Sequence, residues 1–230
     1  MAPSSTAQPP PHFPANVQYL TTPVPSRLLP ATHRQTFCTP CPPHLLPNPP
    51  PRIAIRTISD PRHPANGQSG LFNASNKALP RGTWIRDYVG WVHTEGEADP
   101  TSGYDLALDR IVTDVVDPET SETSQHVEVV GCDATRMGGE ARFVNDYRGV
   151  PGFERPNAVF ELRSWDVPGQ PGKKGVRMAV WAGPHGIDKG SEICVSYGKG
   201  YWRPQEPATT PADAGKGATS TKKPAKSKKG

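Results

Sequence analysis

The chain has 230 residues, a net charge of +4 at neutral pH and 29 prolines, fifteen of which lie in residues 1–51. Proline fixes φ and lacks a backbone N–H, so a segment this rich in proline disfavours helices and sheet ladders. No apolar run approaches the ~20 residues of a membrane helix, and the N-terminus lacks the apolar core of a signal peptide. Four cysteines do not make a disulfide scaffold. These features predict a protein of a reducing, intracellular compartment, without membrane contact and with one hydrophobic core of roughly 150 residues.

The composition divides the chain into three parts. Residues 1–51 are predicted to be a disordered, proline-rich arm, residues 52–203 a single domain, and residues 204–230 a disordered, lysine-rich tail. Six lysines lie in the last 15 residues, and the arm carries a charge of +2, which leaves −4 for the residues between. An acidic domain with a basic tail suits a basic protein substrate and a tail that contacts acidic partners, including nucleic acid non-specifically. The alternative is that the tail only maintains solubility.

Short segments of alternating or β-branched apolar residues follow Arg52, separated by glycine and proline turns. This pattern predicts a mainly β fold with few short helices, because no segment has a sustained helical period. Residues 92–103 are predicted to be a polar loop, 104–116 a strand, a turn and another strand, and 133–146 the one place for a short helix. The remaining predicted strands are 52–58, 83–89, 126–132, the hairpin 157–165 and 175–181, and 193–197.

Several residues are candidates for chemistry, although each has a simpler explanation. The loop Gly67-Gln68-Ser69-Gly70 would let a ligand approach the backbone closely, or it is an ordinary turn. Asn145 and Asn157 would each form paired hydrogen bonds to a ligand, or they are turn residues. Cys38 and Cys41 have the spacing of metal ligands, but only His33 and His44 lie nearby, so no metal site is predicted. Four tyrosines would line a channel or are ordinary strand residues: Tyr88, Tyr104, Tyr197 and Tyr201.

The order of four blocks along the chain resembles the SET-domain family of protein lysine methyltransferases, which use S-adenosylmethionine. The first block joins Gly67–Asn73 to a segment that ends in Tyr88-Val-Gly90. The second is Tyr104-Asp-Leu106. The third, Asp133–Asn145, contains Arg142-Phe143 before Asn145 and is followed by Pro156-Asn157. The fourth, Ile187–Gly198, is similar to the family's Ile-x-x-Gly-Glu-Glu block that ends in Tyr-Gly.

The resemblance implies several small twisted sheets with a C-terminal pseudoknot, and a cofactor face separated from a substrate groove by a narrow channel. It assigns Tyr197 and Tyr88 to catalysis and Tyr104 to the substrate channel. The expected function is methyl transfer to the ε-amine of a lysine, on a histone or another basic protein, in the nucleus. The residues assigned to cofactor binding are Gly67, Gln68, Ser69, Gly70, Arg142, Phe143, Asn145, Asp146 and Trp202.

Three departures from the family pattern bear on activity. Asp146 stands where the family has a histidine, and it either weakens cofactor binding or pairs with Arg142 or Arg148. The connection from Asn145 to Asn157 is longer than in most of the family. No cysteine follows Cys194, so the zinc cluster that closes the channel in many members is absent and metal-independent activity is expected.

The rings of Tyr201 and Trp202 would cover the adenine or the channel instead, or simply cap the core. Because of Asp146, the alternative function is a catalytically weak or inactive SET-fold module that acts as a scaffold. Lys222–Lys229 would serve as a nuclear import signal.

Overall fold

Thirteen strands and one α-helix form the regular structure of residues 7–116 and 123–198, which are the residues that the computed structural model describes. The helix, α1, spans Ala31–Cys38. Single 3-10 turns occupy Pro43–Leu45, Glu95–Glu97 and Glu140–Phe143. The strands are β1 (Gln18–Tyr19), β2 (Val24–Pro25), β3 (Ile53–Thr57), β4 (Ser69–Asn73), β5 (Trp84–Asp87), β6 (Trp91–Thr94), β7 (Asp105–Val116), β8 (Thr123–Asp133), β9 (Met137–Gly138), β10 (Asn145–Asp146), β11 (Ala158–Asp166), β12 (Lys174–Ala182) and β13 (Cys194–Val195).

These strands form five small sheets rather than one large sheet. The largest has the order β2-β6-β8-β7, and a three-stranded sheet has the order β11-β12-β5. The pairs β1-β9 and β10-β13 are parallel, and the pair β3-β4 is antiparallel. The predicted mainly β class with few helices is therefore confirmed. Among the described residues, no helix is long and apolar enough to cross a membrane.

The strands predicted from alternation after Arg52 are confirmed, including the hairpin of β11 and β12. Two predictions are wrong. Residues 105–116 form one strand, because they pair with β8 along their whole length, apart from a bulge at Leu108 between Ala107 and Asp109. Residues 92–94 belong to β6 rather than to a loop, since Val92 and His93 are almost fully buried. Residues 133–146, predicted to be the one place for a short helix, contain a single 3-10 turn, and the α-helix of the described residues lies instead at Ala31–Cys38.

The chain divides into two compact units, Met1–Ser196 and Tyr197–Gly230. Residues 7–51 thus belong to the same unit as residues 52–196, whereas the predicted domain extended to residue 203. The prediction of a disordered arm is wrong for these residues, because they bury large apolar side chains. The buried apolar side chains of this N-terminal segment are Val17, Leu20, Leu29 and Phe37. The lysine-rich tail, with its predicted nuclear import and nucleic-acid contact, lies outside the described residues.

Proline is compatible with this packing because the segment pairs at the margins of sheets. The N–H groups of Val24 and Ser26 donate to the carbonyls of Gly90 and Val92 at 2.9 and 2.7 Å. Pro25 lies between these two donors, so the N–H that it lacks is not needed by the pairing. Proline content alone therefore did not distinguish an edge-paired segment from a disordered one.

Helix α1 is fixed to the three-stranded sheet through the buried guanidinium of Arg177. This side chain donates to the carbonyls of Phe37 and Thr39 at the C-terminal end of α1. The guanidinium also lies over the ring of Trp165, with 5.6 Å between its central carbon and the ring centroid. A cation at a helix C-terminus complements the negative end of the helix dipole, so Arg177 stabilises the docked helix.

The packing of the N-terminal segment is tested by Phe37→Ala, with Leu28→Ala as a matched control. Phe37 is 3 % exposed and Leu28 is 71 % exposed, although both lie in the segment that was predicted to be disordered. We expect Phe37→Ala to lower the free energy of unfolding by about 3–5 kcal/mol and Leu28→Ala to change it by less than about 0.5 kcal/mol, measured by urea denaturation. Equal, negligible effects of both variants would show that the segment does not pack on the domain.

Candidate functional site

The glycine loop, Gly67–Gly70, consists of the last two residues of the turn between β3 and β4 and the first two residues of β4. The N–H of Gly67 donates to the carbonyl of Ile58 at 2.8 Å, and the N–H of Ile58 donates to that of Gln68 at 2.8 Å. Gly67 has a φ of 81°, a left-handed conformation that glycine adopts without strain. Gly67 and Gln68 are exposed, Ser69 is half-buried and Gly70 is buried. The loop therefore changes from an open backbone to a packed one within four residues.

Gly70 is packed against the carboxylate of Glu192. A Cβ added at Gly70 would lie 2.7 Å from Oε1 of Glu192. The absence of a side chain at this position thus makes room for a buried carboxylate. The sequence had predicted that Gly70 allows a ligand to approach the backbone, but the nearest group to it is a side chain of the protein itself.

Glu192 lies between β4 and β10 and is only 6 % exposed. Its Oε1 accepts a hydrogen bond from Nδ2 of Asn145 at 2.8 Å, and its Oε2 lies 3.0 Å from Nε2 of His63. A buried carboxylate without partners is costly, and these two donors, together with a hydrogen bond from the thiol of Cys194, stabilise it here. We call Glu192, His63, Asn145 and Gly70 the Glu192 centre.

The hydrogen bonds of His63 define its tautomer. Its Nδ1 accepts from the N–H of Ala65 at 2.9 Å, so the ring proton is on Nε2 and donates to Glu192. The backbone of His63 also caps the turn before the glycine loop, since its N–H donates to the carbonyl of Asp60 and its own carbonyl accepts from the N–H of Asn66. His63 thereby connects the turn before the glycine loop to the Glu192 carboxylate.

Asn145 connects the same centre to the glycine loop. Its Nδ2 donates to Glu192 and lies 3.4 Å from the carbonyl oxygen of Ser69. The backbone of Asn145 pairs in parallel with Cys194 through β10 and β13. Three separate segments of the chain therefore meet at Asn145: the glycine loop, residues 145–146 and residues 192–195.

Asn157 has a structural role on the other side of the same segment. Its side-chain Oδ1 accepts from the N–H of Cys194 at 2.8 Å, and its Nδ2 donates to the carbonyl of Glu192 at 2.7 Å. The backbone N–H of Asn157 donates to the carbonyl of Cys194 at 3.1 Å. Because the carboxamide is used in this way, Asn157 holds residues 192–194 in place and has little capacity left for a ligand.

Asp146, the main departure from the family pattern, pairs with Arg148 and not with Arg142. Its buried carboxylate accepts from Nη1 and from the backbone N–H of Arg148, at 2.7 and 2.8 Å. The guanidinium of Arg148 also donates to the hydroxyl of Ser196 at 3.2 Å. Of the two arginines that the sequence suggested as partners, Arg148 pairs with Asp146, and its backbone N–H also donates to the carboxylate.

The thiol of Cys194 lies among these acidic groups. Burial, followed by the negative charges of Glu192 and Asp146, raises the pKa of the thiol well above its usual range. Burial also raises the pKa of Cys132. Cys132 and Cys194 lie in apolar strand segments of the sequence, which predicts that they are buried, and both thiols are buried. They are therefore packing residues rather than nucleophiles.

A second group of predicted residues is aromatic. Tyr88 is 6 % exposed, and its hydroxyl donates to the backbone carbonyl of Tyr104 at 2.6 Å. The ring of Phe160 packs edge-on against that of Tyr88, with 5.7 Å between the centroids. The ring of Tyr104 is 38 % exposed and covers the guanidinium of Arg142 at 4.2 Å. Tyr88 and Tyr104, which the sequence assigned to one channel, are thus in direct contact.

The 3-10 turn Glu140–Phe143 connects the two groups, because Arg142 lies three residues before Asn145. Nε of Arg142 donates to the carbonyl of Ala134 at 2.8 Å, and this guanidinium is largely buried. Phe143 packs on Phe13, with 5.6 Å between the ring centroids. The N-terminal segment therefore supports the turn that carries the predicted cofactor residues.

Tyr19 makes a further contact from the N-terminal segment to this turn. Its hydroxyl donates to Oε2 of Glu140 at 3.2 Å, and Nε of Arg86 lies 3.1 Å from Oε1 of the same carboxylate. Burial, followed by the charge of Glu140, raises the pKa of Tyr19 to about 12. The phenol therefore stays protonated and donates to Glu140 at neutral pH.

Two predicted site residues, Tyr197 and Trp202, lie outside the unit Met1–Ser196. Tyr197 is the first residue of the second unit, of which the structure describes only Tyr197 and Gly198. Trp202 lies outside the described residues. The predicted roles of both residues therefore rest on the sequence.

Sequence reasoning missed His63 and the role of Glu192. His63 lies in a segment rich in turn-forming residues, and its side chain reaches a carboxylate 129 positions away, which no local pattern reveals. Glu192 lies within the fourth block, and the available signal was an acidic residue directly before the apolar run Ile193–Val195. Among the described residues, no group of three or more histidine, cysteine or acidic side chains has the arrangement of a metal site.

The packing of Gly70 on the carboxylate is tested by Gly70→Ala, with Gly96→Ala as the control. A Cβ at Gly96 would meet no atom within 4 Å, whereas at Gly70 it would displace Glu192. We expect Gly70→Ala to lower the free energy of unfolding by about 1–3 kcal/mol and Gly96→Ala to leave it nearly unchanged, measured by urea denaturation. A Gly70→Ala protein as stable as the control would mean that the carboxylate is not held at this position.

Comparison with known proteins adds no assignment to this geometry. No family model matches the sequence, and no curated protein matches it significantly.

Proposed function

We propose that this protein is an S-adenosylmethionine-dependent protein lysine methyltransferase of the SET-domain type, acting on a histone or another basic protein. The observation that carries the proposal is the meeting of the glycine loop, Asn145 and Glu192. Asn145 is 76 residues from its contact Ser69 and 47 residues from Glu192. The resemblance assigns the glycine loop and Asn145 to the cofactor side of one site, and the contact between them agrees with that assignment.

The pairing around Asn157 supports the finer proposal of a threaded, pseudoknot-like connection. Residues 194–195 pair in parallel with β10, and the side chain of Asn157 bonds to the backbone on the far side of residues 192–194. The last strand thus lies between two segments that precede it in the chain, separated from one another by the long connection of residues 147–156.

The exposed part of the glycine loop fits a cofactor with an amino-acid group. A Cβ placed on Gly67 would meet no atom within 4 Å, so a ligand has room beside Gly67, although the N–H groups of Gly67 and Gln68 already donate to the carbonyls of Ile58 and Ala65. Asn145, Arg142 and Phe143 complete the residues that would hold S-adenosylmethionine, which supplies an electrophilic methyl group when it is bound. The chain then has to align a lysine amine with that group, and alignment contributes roughly 7–11 kcal/mol to such reactions.

Tyr88 suits the task of receiving the amine. Its hydroxyl donates to the carbonyl of Tyr104, and in this proposal the phenol oxygen accepts a hydrogen bond from an N–H of the substrate. A lysine must lose its proton before its nitrogen can attack, although its free pKa is about 10.4. The apolar surroundings of Tyr88, against which the ring of Phe160 packs, disfavour the ammonium form by desolvation.

The buried guanidinium of Arg142 also favours the neutral form of the lysine amine. It lies beneath the ring of Tyr104, and a second positive charge nearby favours the neutral amine. In this proposal bound S-adenosylmethionine would supply its methyl group to the nitrogen lone pair and leave as the thioether, and the amine proton would go to solvent. Tyr197, which the resemblance assigns to orienting the amine, contributes to the proposal through the sequence alone.

The contacts of Asp146 make it a weaker argument against catalytic activity than the sequence alone suggests. Its carboxylate is neutralised by Arg148, so it does not place an unpaired negative charge beside the cofactor residues. The pair keeps the position buried and polar in the place of the family's histidine. This favours the enzyme over the scaffold module that Asp146 suggested.

The proposal is tested by transfer of a labelled methyl group from S-adenosylmethionine to core histones, using the full-length protein. We expect transfer to lysine, with a loss of at least about tenfold in Tyr197→Phe because the group that orients the amine is removed. Leu28→Ala, an exposed substitution, serves as the control and should retain full activity. The labelled position is identified by amino-acid analysis.

Two outcomes would contradict the proposal. Binding of the cofactor without transfer to any basic protein would support the scaffold function instead. Equal activity of Tyr197→Phe and the wild type would exclude this site as the origin of any transfer that is observed.

A further inference from the structure

The buried pair of His63 and Glu192 lies beside the proposed cofactor residues without being exposed to a ligand. The two side chains are 5 % and 6 % exposed. Neither residue was assigned a role from the sequence. Each is connected by hydrogen bonds to a segment that is expected to contact the cofactor.

On one side, His63 holds the approach to the glycine loop. Its Nδ1 accepts from the N–H of Ala65, and its carbonyl accepts from the N–H of Asn66. These contacts fix the backbone immediately before Gly67. A loop with an exposed, glycine-containing turn loses conformational freedom when it binds a ligand, and fixing it beforehand reduces that loss.

On the other side, Glu192 holds Asn145. The bond of 2.8 Å from Nδ2 to Oε1 fixes the orientation of the carboxamide. In that orientation the same nitrogen faces the carbonyl oxygen of Ser69, inside the glycine loop. The carboxylate has space for this only because Gly70 has no side chain.

We propose that His63 and Glu192 are positioning residues that hold the glycine loop and Asn145 in the geometry that binds the cofactor, an inference that rests on the proposed function. The pair acts through these two segments and does not touch the reacting atoms. Loss of the pair therefore weakens cofactor binding and leaves the chemical step and the protein-substrate site nearly unchanged.

Glu192→Gln breaks the pair with almost no change of volume. With the new amide oxygen toward Asn145, its NH₂ meets the Nε2–H of His63, and two donors face each other. His63 cannot relieve this by changing tautomer, because Nδ1 already accepts from Ala65. With the amide reversed, its NH₂ meets Nδ2 of Asn145 instead. One hydrogen bond of a buried group is lost in either orientation.

His63→Gln is expected to relieve the contact between two donors that Glu192→Gln creates. Alone, His63→Gln keeps a donor toward Glu192, so we expect it to weaken cofactor binding by at most about threefold. Combined with Glu192→Gln, its amide oxygen accepts from the new NH₂ group. Such non-additivity is expected of side chains in direct contact and not of independent ones.

The experiment measures the dissociation constant of S-adenosylhomocysteine by calorimetry for the full-length wild type, the two single variants and the double variant. We expect Glu192→Gln to weaken binding by about tenfold or more, and the double variant to bind more tightly than Glu192→Gln. In turnover, KM for S-adenosylmethionine should rise by the same factor, with kcat and KM for the protein substrate changing by less than about threefold.

The outcomes separate this inference from the proposed function. If the wild type binds no S-adenosylhomocysteine, the proposed function fails and the inference fails with it. If the wild type binds and Glu192→Gln binds equally well, the inference alone is overturned. A multiplicative loss in the double variant, or a fall in kcat with unchanged cofactor affinity, would also overturn it. Thermal unfolding of each variant distinguishes loss of positioning from loss of the fold.

Discussion

A single buried carboxylate, that of Glu192, joins the parts of this chain that the candidate site requires. An ionised carboxylate leaves water only if hydrogen-bond donors replace its hydration. Here those donors are His63 and Asn145, which come from segments far apart in the sequence. Because neither donor can move without exposing the charge or leaving it unpaired, the carboxylate constrains the glycine loop and the β10 segment together. The space for it is provided by the missing side chain of Gly70.

The second constraint comes from the N-terminal segment. Phe13 and Tyr19 pack against Phe143 and Glu140, on the same 3-10 turn that carries Arg142. That turn leads directly into Asn145. Strands β1 and β2 of this segment pair with β9 and β6, and its helix α1 docks on the three-stranded sheet. It is therefore part of the scaffold that supports the candidate site, although its composition resembles that of a linker.

Local patterns predicted what depends on near neighbours in the chain. Alternation gave the hairpin of β11 and β12 and the strand that ends before Tyr88, and turn residues marked the glycine loop. Cys132 and Cys194 were correctly expected to be buried. The proline-rich segment was wrongly predicted to be disordered. Proline lacks a backbone N–H donor, but a strand that pairs at the margin of a sheet needs few such donors. The partnership of His63 and Glu192 depends on tertiary contact across 129 positions, which neither periodicity nor composition encodes. The resemblance expected the glycine loop and Asn145 on one face, and the structure brings Asn145 to 3.4 Å from the carbonyl oxygen of Ser69, but the resemblance did not identify the carboxylate of Glu192.

The central claim is that the glycine loop, the Asn145 segment and the Glu192 segment form one cofactor-binding unit. Hydrogen–deuterium exchange of the full-length protein, with and without saturating S-adenosylhomocysteine, tests it most directly. The account predicts that the ligand slows exchange in peptides covering residues 63–73, 140–147 and 191–195 together, while the hairpin of β11 and β12 beyond Leu162 exchanges as before. Protection confined to only one of these three segments, or found elsewhere in the chain, would contradict it.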